Sequence, residues 1–443
     1  MQLSKRGTKL TEGSQPLVKA HFKCAESPWN PQTNPDGYIN LGTAENHLLF
    51  DILEPILNQP PEFREEHTHY SMLHGMPAFR EALAQYLSDM TGAPVLENQI
   101  VAASGSSAII DMLMVALCDA GEGVIIPAPY YAGFDHDLKG RANVEPIPVY
   151  LNEENQYDIT IEALQESLMQ ASKRQIKVKA ILITSPNNPI GRTYPEDMLH
   201  MIIRFAKEQK LEIIADELYA RSVFGDAAYI SMWKLAHEEK KDIHVVYSFA
   251  KDFGLSGFKT GMLFSTNEKV LAVMRELAYF APVSNATQQI LTKLLQQEAF
   301  LDHLFSENAR RLKQAWYVCH RELKQAEIPH ETATAGFFAW LDLREWLETN
   351  DEAGEMKLYQ KMLETGKVNL SPGLVFNSKE PGFFRLCYAR PEFMIETAVK
   401  RIADVCASIE KRKKVPVINK NVPASTPTKR LNEAQRVIST KSV

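Results

Sequence analysis

The sequence predicts an α/β protein whose core is a largely parallel sheet. Short runs rich in Val, Ile and Leu recur between residues 98 and 250, and several are almost entirely apolar, as in "VKAILITS". Longer stretches with helical periodicity separate these runs, as in "AIIDMLMVALCDA". Because strands that alternate with helices build parallel sheets, we expect an α/β domain over roughly residues 70–290.

The elements of this domain follow one another in a regular order. Helices are expected between the strands, for example at residues 108–120 and 198–210. The candidate strands are residues 98–104, 123–129, 143–151, 178–185, 211–218 and 242–250.

A second pattern follows, and it predicts a smaller α+β domain. A long amphipathic helix at residues 300–326 precedes candidate strands near 337–343 and 383–389. A closing helix begins near residue 391, and its apolar positions have helical spacing: Met394, Ile395, Ala398, Ile402 and Ile409.

Four segments are expected along the chain. Residues 1–37 are polar and proline-containing and predict an extended arm, and residues 413–443 form a basic tail that favours disorder over a binding element. Between them lie a large domain at 38–295 and a small domain at 296–412, and the early part of the large segment is expected to contribute to the small domain.

Composition limits the classes of partner. The 443 residues are 45% hydrophobic and 23% charged with a net charge of −6, which gives no reason to expect a nucleic-acid partner. No apolar run reaches membrane-spanning length, and the start of the chain lacks a signal-peptide pattern. The five cysteines are scattered without metal-ligand spacing. We therefore expect a cytoplasmic protein with reduced thiols and without a metal site or membrane partner.

Lys251 directly follows a candidate buried strand and opens a turn that contains glycine. Ligands of open α/β folds bind at the carboxyl ends of the strands, and an amine there can form a Schiff base if its surroundings lower its pKa. On this stretch alone an ordinary surface lysine is the more frequent explanation.

Other candidate residues also stand at the ends of predicted strands. Ser106 and Ser107 open a helix and would suit a phosphate, although serine also serves as a simple helix cap. Tyr130 and Tyr131 offer a ring that could stack on a flat heterocycle or merely pack. Asn188 lies in a turn whose asparagines and prolines would also explain it.

Two charged residues in apolar strands need partners. Asp216 ends a very apolar strand, where its carboxylate requires either a cationic ring nitrogen or a nearby Lys or Arg; Tyr219 follows three residues later. Arg385 lies inside another apolar strand and requires an anion, either a substrate carboxylate or an internal Asp or Glu. Together these groups describe a site for pyridoxal 5′-phosphate and an amino acid.

From about residue 38 to 410 the chain resembles the fold-type I aminotransferases, and among them the 1-aminocyclopropane-1-carboxylate synthase group. The resemblance implies a large domain with a mainly parallel seven-stranded sheet, a smaller α+β C-terminal domain and a homodimer. The motifs that carry it are "GTAENHLLFDIL", "HGMPAFREALA", "PYYAGFDHDL", "SPNNPIGRTY", "ADELYA", "SFAKDFGLSGFKTGM", "VNLSPGLVF" and "EPGFFRLCYA".

The resemblance also implies roles in cofactor binding. Asp216 resembles the partner of the pyridine nitrogen, Asn188 and Tyr219 resemble the groups that bind the ring oxygen, and Tyr131 resembles the stacking ring. The phosphate ligands correspond to Ser106, Ser107, Ser248 and Lys259.

Catalytic and substrate-binding roles follow in the same way. Lys251 resembles the lysine that carries the cofactor and moves the Cα proton, with Tyr219 as a second catalytic residue. Arg385 resembles the clamp on the substrate α-carboxylate, and Glu45 and Asn188 complete the implied substrate site.

Three positions depart from the synthase pattern. Ala250 replaces a serine, Lys259 replaces an arginine, and Leu73 replaces a tyrosine that reaches the neighbouring subunit's site in the synthases. Lysine keeps the charge but loses the bidentate fork of arginine. The resemblance therefore implies Cα deprotonation followed by elimination of a side-chain leaving group, sulfur above all. An aminotransferase is the first alternative, ring-closing synthase activity the second, and a catalytically silent cofactor-binding protein the third.

Overall fold

The computed structural model describes residues 3–4, 7–8, 16–151, 153, 156–226 and 228–411. These residues form two compact units, and the predicted tail at 413–443 lies outside them. The large unit comprises Glu45–Gln314 and Ala333–Phe337, and the small unit comprises the described parts of Met1–Ala44, Ala315–Thr332 and Phe338–Val443. These divisions reflect packing, and the predicted domain boundaries after residues 37, 295 and 412 remain predictions.

A seven-stranded sheet forms the centre of the large unit, in the order β2-β8-β7-β6-β5-β3-β4. Every pairing is parallel except those of β8, which runs antiparallel to both β2 and β7. This confirms the predicted fold class. The strands are β2 Ile100–Ala103, β3 Gly123–Ala128, β4 Glu145–Tyr150, β5 Val178–Thr184, β6 Glu212–Asp216, β7 His244–Ser248 and β8 Gly261–Ser265.

Helices connect these strands. The predicted helices at 108–120 and 198–210 are present with bounds shifted by about two residues, as is usual for helix ends. The α-helices of this part of the chain are Phe50–Leu57, Pro77–Thr91, Ser106–Leu117, Phe134–Lys139, Ile161–Lys173, Glu196–Glu208, Met232–Glu238, Glu268–Leu277, Asn285–Leu295 and Glu298–Gln325. Short 3₁₀ turns lie at Glu65–Thr68, Glu97–Gln99, Ser256–Phe258 and Ala278–Phe280.

The small unit contains two sheets. β9 Phe338–Asp342, β11 Ser371–Pro372 and β12 Phe383–Cys387 form an antiparallel sheet in the order β11-β12-β9, and β1 Ile39–Asn40 pairs in parallel with β10 Val368–Asn369. Its helices are Pro16–Glu26, Glu352–Glu364 and Glu392–Ala407, with 3₁₀ turns at Arg344–Trp346 and Gly373–Phe376.

The helix Pro16–Glu26 corrects one expectation, because the segment 1–37 was predicted to be an extended arm. Its first residue is a proline, which suits the first turn of a helix. Ala20 and Cys24 stand four residues apart on one face, and both are buried. The prediction of an extended arm was based on polarity and proline content, and it did not take this short apolar stripe into account.

Among the described residues, no helix combines the length and the apolar character needed to cross a membrane.

Candidate active site

Lys251 lies in the turn that follows β7, and its side chain is half-buried. The turn folds back tightly, since the Gly254 amide donates to the Lys251 carbonyl at 3.1 Å and the Leu255 amide donates to Phe249 at 3.0 Å. Gly254 has a φ of +68°, and a Cβ atom there would stand 3.1 Å from the carbonyl oxygen of Asn46. Glycine therefore allows this turn to pass close to a neighbouring segment.

Asp216 ends β6 and is only 4% exposed. The Thr184 hydroxyl donates to its carboxylate at 3.1 Å, and the Leu218 amide donates at 3.3 Å. Burial raises the pKa of the Asp216 carboxyl to about 6, while these two hydrogen bonds and the charge of Lys251 act in the opposite direction. A buried carboxyl whose pKa is raised in this way fits a cationic ring nitrogen, which would stabilise its charged form.

Asn188 and Tyr219 face each other, and both are buried. The Asn188 side-chain amide donates to the Tyr219 hydroxyl at 3.5 Å, at the long limit of a hydrogen bond. The Tyr219 ring packs edge-on against Phe337 with ring centroids 5.2 Å apart. The structure thus brings an amide and a phenol together, as binding of a ring oxygen requires.

An anion cradle lies where the helix Ser106–Leu117 begins. The Lys259 ammonium nitrogen stands 3.4 Å from the position that a Cβ atom would take at Gly105, the residue before the helix. A Cβ atom at Gly261 would lie 2.6 Å from both the Gly105 carbonyl carbon and the Ser106 nitrogen, so the two backbones touch there. Free N–H groups of the first helical turn together with an ammonium group make a ready site for phosphate.

The predicted phosphate ligands lie around this point. Ser248 is the last residue of β7 and pairs with Gly261 on β8. Ser106 is half-buried and Ser107 is exposed. The cradle therefore combines main-chain amides, hydroxyls and one cation, and its close backbone contacts would be lost with any side chain at Gly261.

The two tyrosines after β3 have different environments. Tyr130 is fully buried, and its hydroxyl donates to Asp135 at 2.8 Å. Tyr131 is half-buried, and its ring covers Gly133 so closely that a Cβ atom there would stand only 2.6 Å from the ring atom Cζ. Tyr131 also packs edge-on against Phe134 at 5.3 Å. Tyr131 is thus the more accessible of the two rings, while the Tyr130 hydroxyl is bound within the protein.

Glu45 is half-buried and accepts a hydrogen bond from the Ser256 hydroxyl at 3.0 Å. A ring nitrogen of His47 lies 3.3 Å from its other oxygen. Leu73 is half-buried in an irregular segment, and Tyr70 is fully exposed to solvent.

Arg385 lies at the centre of β12 in the small unit and is 3% exposed. Its guanidinium donates to the Gly42 carbonyl at 2.6 Å and to the Ser371 hydroxyl at 3.4 Å. The rings of Phe338 and Phe376 flank it at 4.7 and 4.8 Å. Flanking rings and a main-chain anchor hold the planar guanidinium in one orientation, as recognition of a carboxylate requires.

Sequence reasoning missed two features of the site. Thr184 is an ordinary strand residue in sequence, and only its position opposite Asp216 in the register reveals its role. Gly261, which opens β8, carried a usable signal, because glycine within a strand often marks a close backbone approach. Among the described residues no group of three or more His, Cys, Asp and Glu side chains could hold a metal ion.

Comparison with known proteins is consistent with this arrangement. A family profile described as aminotransferase class I and II matches residues 37–402. The chain is 35% identical over 397 residues to the 1-aminocyclopropane-1-carboxylate synthase CMA101 of Cucurbita maxima, covering 85% of this chain and 83% of that protein. It is likewise 35% identical over 404 residues to 1-aminocyclopropane-1-carboxylate synthase 3 of Solanum lycopersicum, covering 86% of each.

Among solved structures, an aspartate aminotransferase from Thermus thermophilus with maleate superposes with a TM-score of 0.78 at 20% identity. The superposition covers 91% of this chain and 100% of that one. At this identity the likeness concerns the fold, and it agrees with the seven-stranded sheet described above.

Proposed function

The chain belongs to the class I and II aminotransferase family, and from this premise we propose that it removes the Cα proton of an α-amino acid and expels a side-chain leaving group. It is an enzyme that depends on pyridoxal 5′-phosphate, as the sequence predicted. The leaving group that we propose is sulfur. The reaction would then be a carbon–sulfur lyase reaction in an otherwise synthase-like site.

One observation carries this proposal: Lys251 and Asp216 lie at the carboxyl ends of neighbouring parallel strands, and the charge of Lys251 acts on the Asp216 carboxyl. With this placement, the Lys251 amine could bond the aldehyde carbon of a substituted pyridine ring while the buried Asp216 acid binds the ring nitrogen. The surrounding side chains fit the same group, since they include an amide–phenol pair, a half-buried ring and an anion cradle.

Each residue has a defined task in the proposed reaction. Asp216 would hold the ring nitrogen, Tyr131 would cover one ring face, and the cradle at Ser106 and Lys259 would fix the phosphate. Bound pyridoxal phosphate withdraws electrons from the substrate Cα and so makes its proton acidic. Lys251 would take this proton, and Arg385 would bind the α-carboxylate through its guanidinium.

Bond changes in the proposed elimination balance without an external oxidant or reductant. The Cα–H bond breaks, its proton goes to Lys251, and its electron pair becomes the new carbon–carbon double bond as the Cβ–S bond breaks. The sulfur leaves as a thiol after taking up a proton. The unsaturated amino acid that remains would react with water to give a 2-oxo acid and ammonia.

Leu73 supports elimination over ring closure. The synthase pattern has a tyrosine at this position, and Leu73 supplies neither a hydroxyl nor an aromatic ring. Ring-closing synthase activity nevertheless remains an alternative, because the relatives at 35% identity carry the synthase name. An aminotransferase reaction is the other alternative. It would use the same residues to remove the Cα proton, and it would differ only in that this proton is then returned to a carbon of the cofactor.

One assay separates these reactions. Purified protein is incubated with a panel of amino acids, each with and without a 2-oxo acid acceptor, and products are identified by mass. Release of thiol and ammonia without an acceptor supports elimination. Acceptor-dependent exchange of the amino group would assign an aminotransferase, and a cyclopropane product would assign a synthase.

We also propose a homodimer that works in the cytoplasm. The large unit exposes large apolar side chains on the segment that precedes the helix Pro77–Thr91 and on the turn Ala278–Phe280, where solvent exposure is costly. The five cysteines are buried and unbridged, as in a reducing compartment. Sedimentation of the purified protein would measure the oligomeric state. The exposed side chains are Phe63, Tyr70, Met72, Tyr279 and Phe280.

A further inference from the structure

A buried polar network begins at Asp252, the residue that follows Lys251. Its carboxylate accepts three hydrogen bonds: from the Arg221 amide at 2.8 Å, from the Ser222 hydroxyl at 2.6 Å and from the Tyr247 hydroxyl at 2.8 Å. Asp252 itself has no exposed surface. Burying a carboxylate costs free energy of desolvation, and three hydrogen-bond donors offset this cost. They do so only while the Asp252 carboxylate keeps its position relative to them.

The network continues through Asn308, on the long helix Glu298–Gln325. The Asn308 side-chain amide donates to the Arg221 carbonyl at 3.0 Å and to the Ser222 hydroxyl at 3.3 Å. Its oxygen accepts a hydrogen bond from the Asn46 side chain at 2.8 Å. Asn308 is wholly buried and Asn46 is nearly so. One amide therefore joins two segments that lie far apart in sequence.

Each segment joined in this way carries a site residue. Asp252 adjoins Lys251, Arg221 follows Tyr219 by two residues, and Asn46 adjoins Glu45. The Lys251 turn also touches the Asn46 carbonyl at Gly254. Buried hydrogen-bond networks restrict the geometry of their members, and catalytic groups tolerate displacements of only about 0.5 Å.

We propose that Asp252 and Asn308 are positioning residues, which fix Lys251, Tyr219 and Glu45 relative to one another through one buried network. This inference rests on the proposed function, because it concerns the placement of the groups that would act on the cofactor and substrate. Neither residue touches the reacting atoms. Their effect would pass through the backbone turns that they anchor.

Hydrogen-bond chemistry makes two near-isosteric variants informative. In Asp252→Asn one acceptor oxygen becomes an NH₂ group. In one orientation this group faces the Arg221 amide and the Tyr247 hydroxyl, and in the other it faces the Ser222 hydroxyl, so at least one donor loses its acceptor. In Asn308→Asp the donating NH₂ becomes an oxygen that faces the Arg221 carbonyl. Each change keeps the volume and exchanges donor and acceptor at one side-chain atom of the network. Ser222→Ala is a third variant, which removes one donor to Asp252 and one acceptor of the Asn308 amide without placing a new polar atom in the network.

Glu355 in the small unit offers a matched control. It is wholly buried and accepts hydrogen bonds from the Leu374 amide at 2.7 Å and the Gly382 amide at 2.6 Å. Glu355→Gln therefore makes the same acid-to-amide change at a buried acceptor that anchors backbone elsewhere. Any effect of general destabilisation should appear in this control as well.

The experiment compares the wild type, these variants and the Asp252→Asn/Asn308→Asp double variant, all loaded with pyridoxal phosphate. Four quantities are measured: the pH midpoint of the cofactor absorbance band, the fraction of Lys251 labelled by cofactor after borohydride reduction, and kcat and KM for the best amino acid. Melting temperatures monitor folding.

We expect both single variants to move the midpoint by about half a pH unit or more and to lower kcat about tenfold with KM changed less. The double variant should lose no more than the worse single variant, because both changes break one network. If Asp252→Asn does not fold, Ser222→Ala should still move the midpoint, but by less than half a pH unit.

Variants that keep the wild-type midpoint and kcat would overturn the inference, as would equal changes in Glu355→Gln. A wild-type chain that carries no cofactor on Lys251 would contradict the proposed function and, with it, this inference. The two failures are therefore distinct.

Discussion

Thr184 and Asp216 stand opposite each other at the carboxyl ends of β5 and β6, and the Thr184 hydroxyl donates a 3.1 Å hydrogen bond to the Asp216 carboxylate. This bond partly offsets the cost of burying an acid in an apolar layer. A hydroxyl carries no charge, so a cationic ring nitrogen would add the counter-charge that this bond does not supply. We therefore expect stability, pH dependence and cofactor affinity to be linked at this carboxyl.

The cofactor-free protein should become less stable as the pH rises. Burial raises the pKa of Asp216 from 3.8 to about 6, so its neutral form stabilises the fold fully below pH 3.8, and this contribution is lost as the pH rises through 6. A rise in the pKa from 3.8 to about 6 corresponds to about 3 kcal/mol at most. Melting temperatures between pH 4 and 8 measure this loss.

Asp216→Asn is the control for this pH dependence. Its amide does not titrate, so the variant should show a shallower fall in melting temperature than the wild type. It should also bind pyridoxal phosphate more weakly, since the ring nitrogen loses its anionic partner. Equal pH slopes in the two proteins would refute the assignment of this titration to Asp216.

Lys259→Ala should weaken binding of the phosphate group alone. The ammonium nitrogen stands at the start of the helix Ser106–Leu117, where it complements the N-terminal amides. Affinity for pyridoxal phosphate, measured by absorbance titration, should fall about tenfold, the size of a lost charge-assisted hydrogen bond. Affinity for pyridoxal, which lacks the phosphate, should not change. A parallel loss for both ligands would show that Lys259 acts on the fold.

The adjacent tyrosines should respond differently to mutation. Tyr131→Ala removes the ring that covers Gly133 and should weaken cofactor binding by about 1 kcal/mol, with little effect on the melting temperature. Tyr130→Phe removes the hydroxyl bound to Asp135 and should lower the melting temperature while leaving cofactor affinity intact. The opposite pattern would assign the stacking role to Tyr130.

The fold and most of the candidate site follow from local sequence patterns. Buried strands are visible in the sequence as apolar runs. A polar residue that ends such a run, such as Asp216 or Lys251, must lie at the edge of the parallel sheet where the carboxyl ends of its strands meet. Their positions could be predicted because neighbours in sequence and the direction of the strands determine them.

Other features could not be predicted in this way. The contact of Gly261 with Gly105 and the bond from Asn46 to Asn308 join residues distant in sequence, and register and packing alone decide them. The strand β8 was missed because its five residues follow a turn and run antiparallel to their neighbours. The helix Pro16–Glu26 was missed because its apolar stripe is narrow.

Leu73→Tyr should redirect the reaction. A tyrosine restores the group that the synthase pattern has at this position. The test uses an amino acid whose sulfur leaving group is on Cγ, because only such a substrate can either close a ring between Cα and Cγ or lose the sulfur by elimination. The share of ring-closed product should rise relative to 2-oxo acid and ammonia. Leu73→Phe adds a ring without a hydroxyl and serves as the control, with little change expected in the products. Mass analysis of products from the same substrate measures the ratio. An unchanged ratio in Leu73→Tyr would show that Leu73 does not select the reaction.

The most direct measurement is the site of covalent cofactor attachment. Purified protein is loaded with pyridoxal phosphate, reduced with borohydride, digested and sequenced by mass spectrometry. The peptide that contains Lys251 should carry the reduced cofactor. Lys251→Ala should carry none and should have no activity, while keeping its melting temperature. Cofactor attached to another lysine, or full activity in Lys251→Ala, would contradict the account.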